Sequence, residues 1–156
     1  MSATQEVSEA VRAFAEHEHQ DLARGIKLVH DTACGVGDVP SVATALAMRD
    51  VIAWFEFQLR PHLAWEERWL YPRIERITGT PWSTRSARFK HGQLVAILEG
   101  IQGEELEALH GMSRELQRAI RCSLFSLEAL VRSHIEQEER LLLPVLSVEP
   151  EAGAAD

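Results

Sequence analysis

Six side chains of chemical interest recur at fixed spacing. His62 and Glu66 stand four residues apart, as do His134 and Glu138, and single histidines stand at His19 and His91. At 100° per residue, helical positions four apart lie about 40° from one another, so each His/Glu pair shares one face. On the second helix that face also carries Val51, Phe55, Leu59 and Trp69, and on the fourth Ile120, Leu127, Val131, Leu141 and Val145. The face is therefore the buried one. His19 aligns with Ala15, Leu22 and Ile26, and His91 with Ala87, Leu94, Val95 and Leu98, so these two histidines also point inward. Burying an unpaired carboxylate or imidazolium costs several kcal/mol, so something must neutralise the set. Four imidazoles and two carboxylates suit one or two divalent first-row metals better than an acid/base or nucleophilic arrangement. Two metals are the simplest fit. Two reduced irons bring four positive charges and two bridging carboxylates remove two, which favours a further bridging hydroxide or oxide. A single structural zinc would leave two of the six donors unused.

The elements that must position these residues are helical. Leu, Ala, Glu, Arg and Gln dominate long stretches with 3.6-residue periodicity, and no period-two alternation is sustained. Turn residues cluster at Gly35-Val36-Gly37-Asp38-Val39-Pro40, at Thr78-Gly79-Thr80-Pro81 and around His110-Gly111-Met112-Ser113. These breaks predict helices at roughly 5–33, 42–77, 83–108 and 113–147. The expected fold is an all-α, up-down-up-down four-helix bundle in one domain, with a core over about 10–147 and a flexible tail at 148–156. An internal repeat supports it. HLAWEERWLYPRI from His62 and HIEQEERLLLPVL from His134 match at six of thirteen positions with an offset of 72. The same offset carries His19 onto His91, Leu22 onto Leu94 and Ile26 onto Leu98, which predicts two related hairpins and an internal twofold repeat.

Composition narrows the function classes. The 156 residues hold 16 Lys+Arg against 24 Asp+Glu, a formal charge of −8, without the basic clusters that phosphate recognition needs. Nucleic acid is not an expected partner. Hydrophobic content of 46% is interrupted by charge throughout, so no membrane span is expected. The first ten residues, MSATQEVSEA, lack the features of a secretory signal, and the expected location is cytoplasmic. Two cysteines, Cys34 and Cys122, are too few for a disulfide scaffold or a thiolate cage.

The pattern His19, His62-x-x-x-Glu66, His91, His134-x-x-x-Glu138, with Glu-Glu-Arg and a proline after each pair, resembles the hemerythrin-like (HHE cation-binding) domain family over about residues 10–147. The resemblance implies a left-handed bundle around a non-haem di-iron centre. By similarity, His19 and His62 would bind one iron, His91 and His134 the other, and Glu66 and Glu138 would bridge them. The sequence departs from the oxygen-carrier members, whose third helix offers two histidines four apart, because Ala87 and Val95 flank His91 at those spacings. An open position on each iron follows, and simple oxygen carriage loses ground. The implied activity is binding or reduction of a small ligand: dioxygen, nitric oxide or peroxide. Peroxidase-like or nitric oxide-reducing turnover stays open, as does an iron or oxygen sensor, or an iron-storage module, without turnover.

The other candidates read more plainly. His17 projects about 160° from His19 and is not expected to be a ligand. His30 lies three turns beyond His19, about 16 Å along the axis, too far to join it. His110 falls in a turn and should be solvated. Glu67 and Glu139 turn away from the histidine direction, which predicts surface ion pairs, with a role as acceptors for ligand imidazoles as the alternative. Tyr71 projects opposite His62 on an ideal helix and is expected at the periphery, whereas Trp69 points inward. No residue stands out as an independent proton donor.

Overall fold

The computed structural model describes residues 3–148, so all of the expected tail at 148–156 except exposed Val148 lies outside the described residues. Among the described residues four helical rods form the fold, and no strand occurs. Helix α1 runs over Ala3–Gly35. Rod α2 covers 41–78 and changes pitch along its length. It is α-helical at Ser41–Trp54, Arg60–Trp65 and Tyr71–Thr78, with π-helical segments at Phe55–Leu59 and Glu66–Leu70. Helix α3 spans Arg85–Ala108 without a break at Gly100 or Gly103. Helix α4 spans Arg114–Gln137 and continues as a π segment at Glu138–Leu142 and a 3-10 turn at Leu143–Ser147.

The expected ends fall within two residues of these bounds because local chemistry sets them. Gly79 ends α2 in the left-handed conformation at φ 70°, which only glycine adopts without penalty. Ser113 opens α4, its side chain accepting from the Leu116 N–H. Each rod packs on its chain neighbours, and α1 also packs on α4, an arrangement compatible with a four-helix bundle. Gly25, inside α1, leaves room for a side chain of α2: a Cβ there would collide with the Trp54 indole.

The three π segments share a cause. Each ends two residues before a proline: Leu59 before Pro61, Leu70 before Pro72 and Leu142 before Pro144. Proline offers no N–H to the carbonyl four residues back, and its ring crowds that carbonyl. Widening the turn relieves the clash. Accordingly, the N–H just before each proline bonds five residues back: Arg60 to Phe55, Tyr71 to Glu66, Leu143 to Glu138. One extra residue per turn rotates everything beyond it by about 100°.

That rotation corrects two expectations. Trp69 and Leu141, expected inward, are 56% and 63% exposed, while Leu70, Tyr71, Leu142 and Leu143 are buried instead. The core consists of two apolar clusters. One contains Leu22, Leu59, Leu94 and Val131; the other contains Ala15, Leu70, Ala87 and Leu142. Along each rod the histidine falls between a residue of one cluster and a residue of the other. The polar set is a layer between two greasy plugs.

Candidate metal centre

All four rods contribute to that layer. His19 comes from α1, His62 and Glu66 from α2, His91 from α3, and His134 and Glu138 from α4. His62, Glu66, His134 and Glu138 are at most 1% exposed, whereas the edges of His19 and His91 reach 4% and 7%. His62 Nε2 lies 2.5 Å from Glu66 Oε1, and His19 Nε2 lies 3.3 Å from Glu138 Oε2. On the other side, His91 Nε2 and His134 Nε2 lie 3.0 and 3.2 Å from Glu66 Oε2. The rings pair edge to face, His19 with His62 at 5.2 Å and His91 with His134 at 4.9 Å. Two donor groups result: His19, His62, Glu66 and Glu138 in one, and Glu66, His91, His134 and Glu138 in the other. Within each group the candidate ligand atoms lie within 4.8 Å of one another, and both glutamates belong to both groups. Either group could hold a metal ion.

The donor atoms behave as a metal site requires. His19 Nε2, His62 Nε2, Glu66 Oε1 and Glu138 Oε2 are buried and crowded together, yet none makes an aligned hydrogen bond. Orphaned polar atoms of this kind are costly unless a cation takes up their lone pairs. In the metal-free chain protons do part of that work. Burial raises Glu138, and the Glu66 charge adds to it, pushing its pKa up to about 8. Burial also works to raise Glu66, but the close approach of His134, His19, His62 and His91 holds it well below the usual carboxylate range. For His19, burial is outweighed by the close carboxylates of Glu138 and Glu66, and its pKa is pushed up to about 10. Burial keeps His134 below its ordinary value despite the Glu66 partner.

The surroundings contain residues that the sequence pattern misplaces. Tyr71, expected at the periphery, is fully buried, and its hydroxyl donates to Glu138 Oε1 at 2.5 Å while lying 2.9 Å from His91 Nε2. The π segment at Glu66–Leu70 is the reason, since its extra residue turns Tyr71 toward the core. Burial, followed by the charges of Glu66 and Glu138, raises the phenol pKa far above its ordinary value, so Tyr71 keeps its proton. Tyr71 is thus a buried hydrogen-bond donor to the cluster that the helical wheel places elsewhere. The signal was present: a proline after His-x-x-x-Glu marks the register change.

Glu67 and Glu139 both reach an imidazole of the set, and Glu139 meets it as a hydrogen-bond acceptor. Glu67 Oε1 lies 2.9 Å from His91 Nδ1, and Glu139 Oε1 lies 3.2 Å from His19 Nδ1. Arg88 contacts the other Glu67 oxygen. The Glu139 contact is a hydrogen bond of the kind that fixes the tautomer and orientation of an imidazole, whereas the Glu67 contact is an ion-pair approach without an aligned hydrogen bond. The other histidines stay outside. His17 is exposed and lies 3.6 Å from Asp21, and exposed His110 bonds the Leu106 carbonyl. His30 is separate and pairs with Glu128. No described helix is long and apolar enough to cross a membrane.

Comparison with known proteins bears directly on this arrangement. Searches among curated proteins and solved structures find no match. The family model of the hemerythrin HHE cation binding domain matches residues 11–146, a span that holds all six converging side chains. By that match the chain belongs to the hemerythrin HHE cation-binding domain family.

Proposed function

We propose that the cluster holds two iron ions and that the protein binds or reduces a small ligand: dioxygen, nitric oxide or peroxide. His19 and His62 serve one ion, His91 and His134 the other, and Glu66 and Glu138 bridge the pair. The observation that carries this reading is the sharing of both glutamates between two four-donor groups, because a single ion has no use for the second group. An iron pair supplies electrons to a small oxidant and open positions at which it binds. The chain's own residues do the rest. The apolar plugs exclude bulk water, Glu67 and Glu139 orient His91 and His19, and Tyr71 holds a proton at its hydroxyl beside Glu138. His19 and His91, at 4% and 7% exposure, are the members of the set that solvent reaches. In this reading one domain forms a left-handed bundle of two related hairpins.

A second reading, an iron or oxygen sensor or an iron store, is favoured by the origin of the donors in all four rods. Metal occupancy would then be coupled to the packing of the whole bundle. One experiment tests the first reading: quantify metals in the purified protein, then record visible spectra before and after anaerobic reduction and exposure to dioxygen or nitric oxide. Two irons per chain with a ligand-dependent spectrum are expected, and a colourless, metal-free protein after expression with iron overturns the proposal. Many equivalents of peroxide or nitric oxide consumed per chain mark turnover, whereas stoichiometric uptake marks the sensor or store.

A further inference from the structure

A second ordered set of polar side chains lies toward the C-terminal end of α1. Cys34 and His30 are four residues apart, and Cys34 Sγ lies 3.5 Å from His30 Nε2. The other ring nitrogen, Nδ1, lies 2.9 Å from Glu128 Oε2 on α4. Glu128 is held in turn by Arg132, whose Nε donates to Oε1 at 3.0 Å. Phe125 meets the imidazole edge to face, with centroids 5.9 Å apart. His30 is eleven residues beyond His19, about 16 Å along the helix axis, so the set is separate from the metal cluster.

The order of groups has a chemical meaning. An ionised carboxylate only accepts hydrogen bonds, so the proton on the ring sits at Nδ1 and donates to Glu128. That tautomer leaves the Nε2 lone pair facing the thiol. Nucleophile, base and orienting carboxylate therefore stand in sequence, the last supplied by a different helix. A cysteine and histidine four apart on one helix would be unremarkable neighbours without Glu128, Arg132 and Phe125 to fix the ring. Cys34 is exposed, so a reagent can reach the sulfur.

We propose that Cys34 is a nucleophilic thiol, assisted by His30 and oriented by Glu128, that is oxidised by small hydroperoxides to a sulfenic acid. His30 Nε2 takes the thiol proton and the sulfur attacks one peroxide oxygen. The S–O bond forms as the O–O bond breaks, sulfur gives up two electrons, and the leaving hydroxide recovers the proton from Nε2 as water. Thiol and hydrogen peroxide become sulfenic acid and water. This inference stands whether or not the cluster carries iron.

Cys122 provides an internal control, since it too is exposed but has no histidine or carboxylate partner among the described residues. The metal-loaded protein is treated with limiting hydrogen peroxide in the presence of dimedone and, separately, with iodoacetamide, and each thiol is quantified by peptide mass mapping. Both sulfurs meet the same solution, so the ratio of their rates is unaffected by peroxide consumed at the metal. Cys34 should react at least about tenfold faster than Cys122, a modest share of what general-base assistance can supply. His30→Gln should bring the ratio near unity, and Glu128→Gln should lower it several-fold. Should His30→Gln fail to fold, His30→Phe keeps a ring against Phe125 and removes the base. Equal rates in the unmodified chain, or a ratio that survives loss of the imidazole, overturn the proposal.

Discussion

The hydroxyl of Tyr71 donates to Glu138 Oε1 across 2.5 Å, joining α2 to α4 at the boundary between the polar layer and an apolar cluster. Tyr71→Phe keeps the ring and removes the donor. A buried carboxylate oxygen then loses a partner, for a cost of about 1–3 kcal/mol. Iron content should persist while the thermal midpoint falls and the rate of reaction with peroxide or nitric oxide changes. A variant with unchanged melting and unchanged kinetics would show that the hydroxyl has no part in the site.

The six converging side chains should be unequal to their exposed neighbours. His134 is completely buried and contacts Glu66, whereas His17 is exposed beside Asp21. His134→Ala should lower metal content and cost about 3–5 kcal/mol, the usual effect of removing one partner from a buried charge cluster. His17→Ala should shift stability by no more than about 0.5 kcal/mol and leave the metal in place. Metal analysis and denaturant melts on the two variants decide it, and equal effects would overturn the ligand assignment.

Removing the metal should loosen the whole bundle, because its donors come from four different rods. An ion at a hundredfold excess over its dissociation constant stabilises the folded state by about 2.7 kcal/mol. For a chain of this length that corresponds to a fall in Tm of at least about 5 °C on chelation. Calorimetry before and after dialysis against a chelator measures it. A midpoint indifferent to the chelator would leave the sensor reading without a physical basis.

Glu67 and Glu139 contact the Nδ1 atoms of His91 and His19 from outside the donor set. Glu67→Gln combined with Glu139→Gln keeps size and removes charge, and should weaken metal affinity about 10–100-fold. Glu136→Gln, which loses a surface pair with Arg140 and a charge near Lys90, is the matched control and should bind as the parent does. Competition with a chromophoric chelator reads both, and indistinguishable affinities would reduce Glu67 and Glu139 to surface ion pairs.

Much of this centre was legible before any coordinates, for reasons specific to its residues. His62 with Glu66, and His134 with Glu138, straddle a single α-helical turn, where ideal geometry holds. His19 and His91 lie within unbroken α-helix, so their inward direction also followed from apolar neighbours three and four residues away. Geometry fails just past each glutamate. There Pro72 and Pro144 stretch the turn, and a wheel drawn at 100° per residue assigns the wrong side chain to the core. Tyr71 was lost to that error, and so was the proton it carries. The tilt of Glu67 and Glu139 toward imidazoles of another helix depends on the packing of two rods, which no pattern within one rod encodes.

The π register can be tested by exchanging neighbours. An unbroken α-helix would bury Trp69 and Leu141 and expose the residues after them, whereas Trp69 is 56% exposed and Leu70 fully buried. Leu70→Ala should therefore cost about 2–5 kcal/mol as a cavity-forming core truncation. Trp69→Ser, a far larger change in volume, should cost no more than about 0.5 kcal/mol. On α4 the same order should hold, with Leu142→Ala more damaging than Leu141→Ala, because Leu142 is 5% exposed and Leu141 63%. Urea denaturation of the four variants measures the ranking. If Trp69 and Leu141 proved the costly pair, Tyr71 would face away from Glu138, and its contact with the centre would vanish with the π turn that creates it.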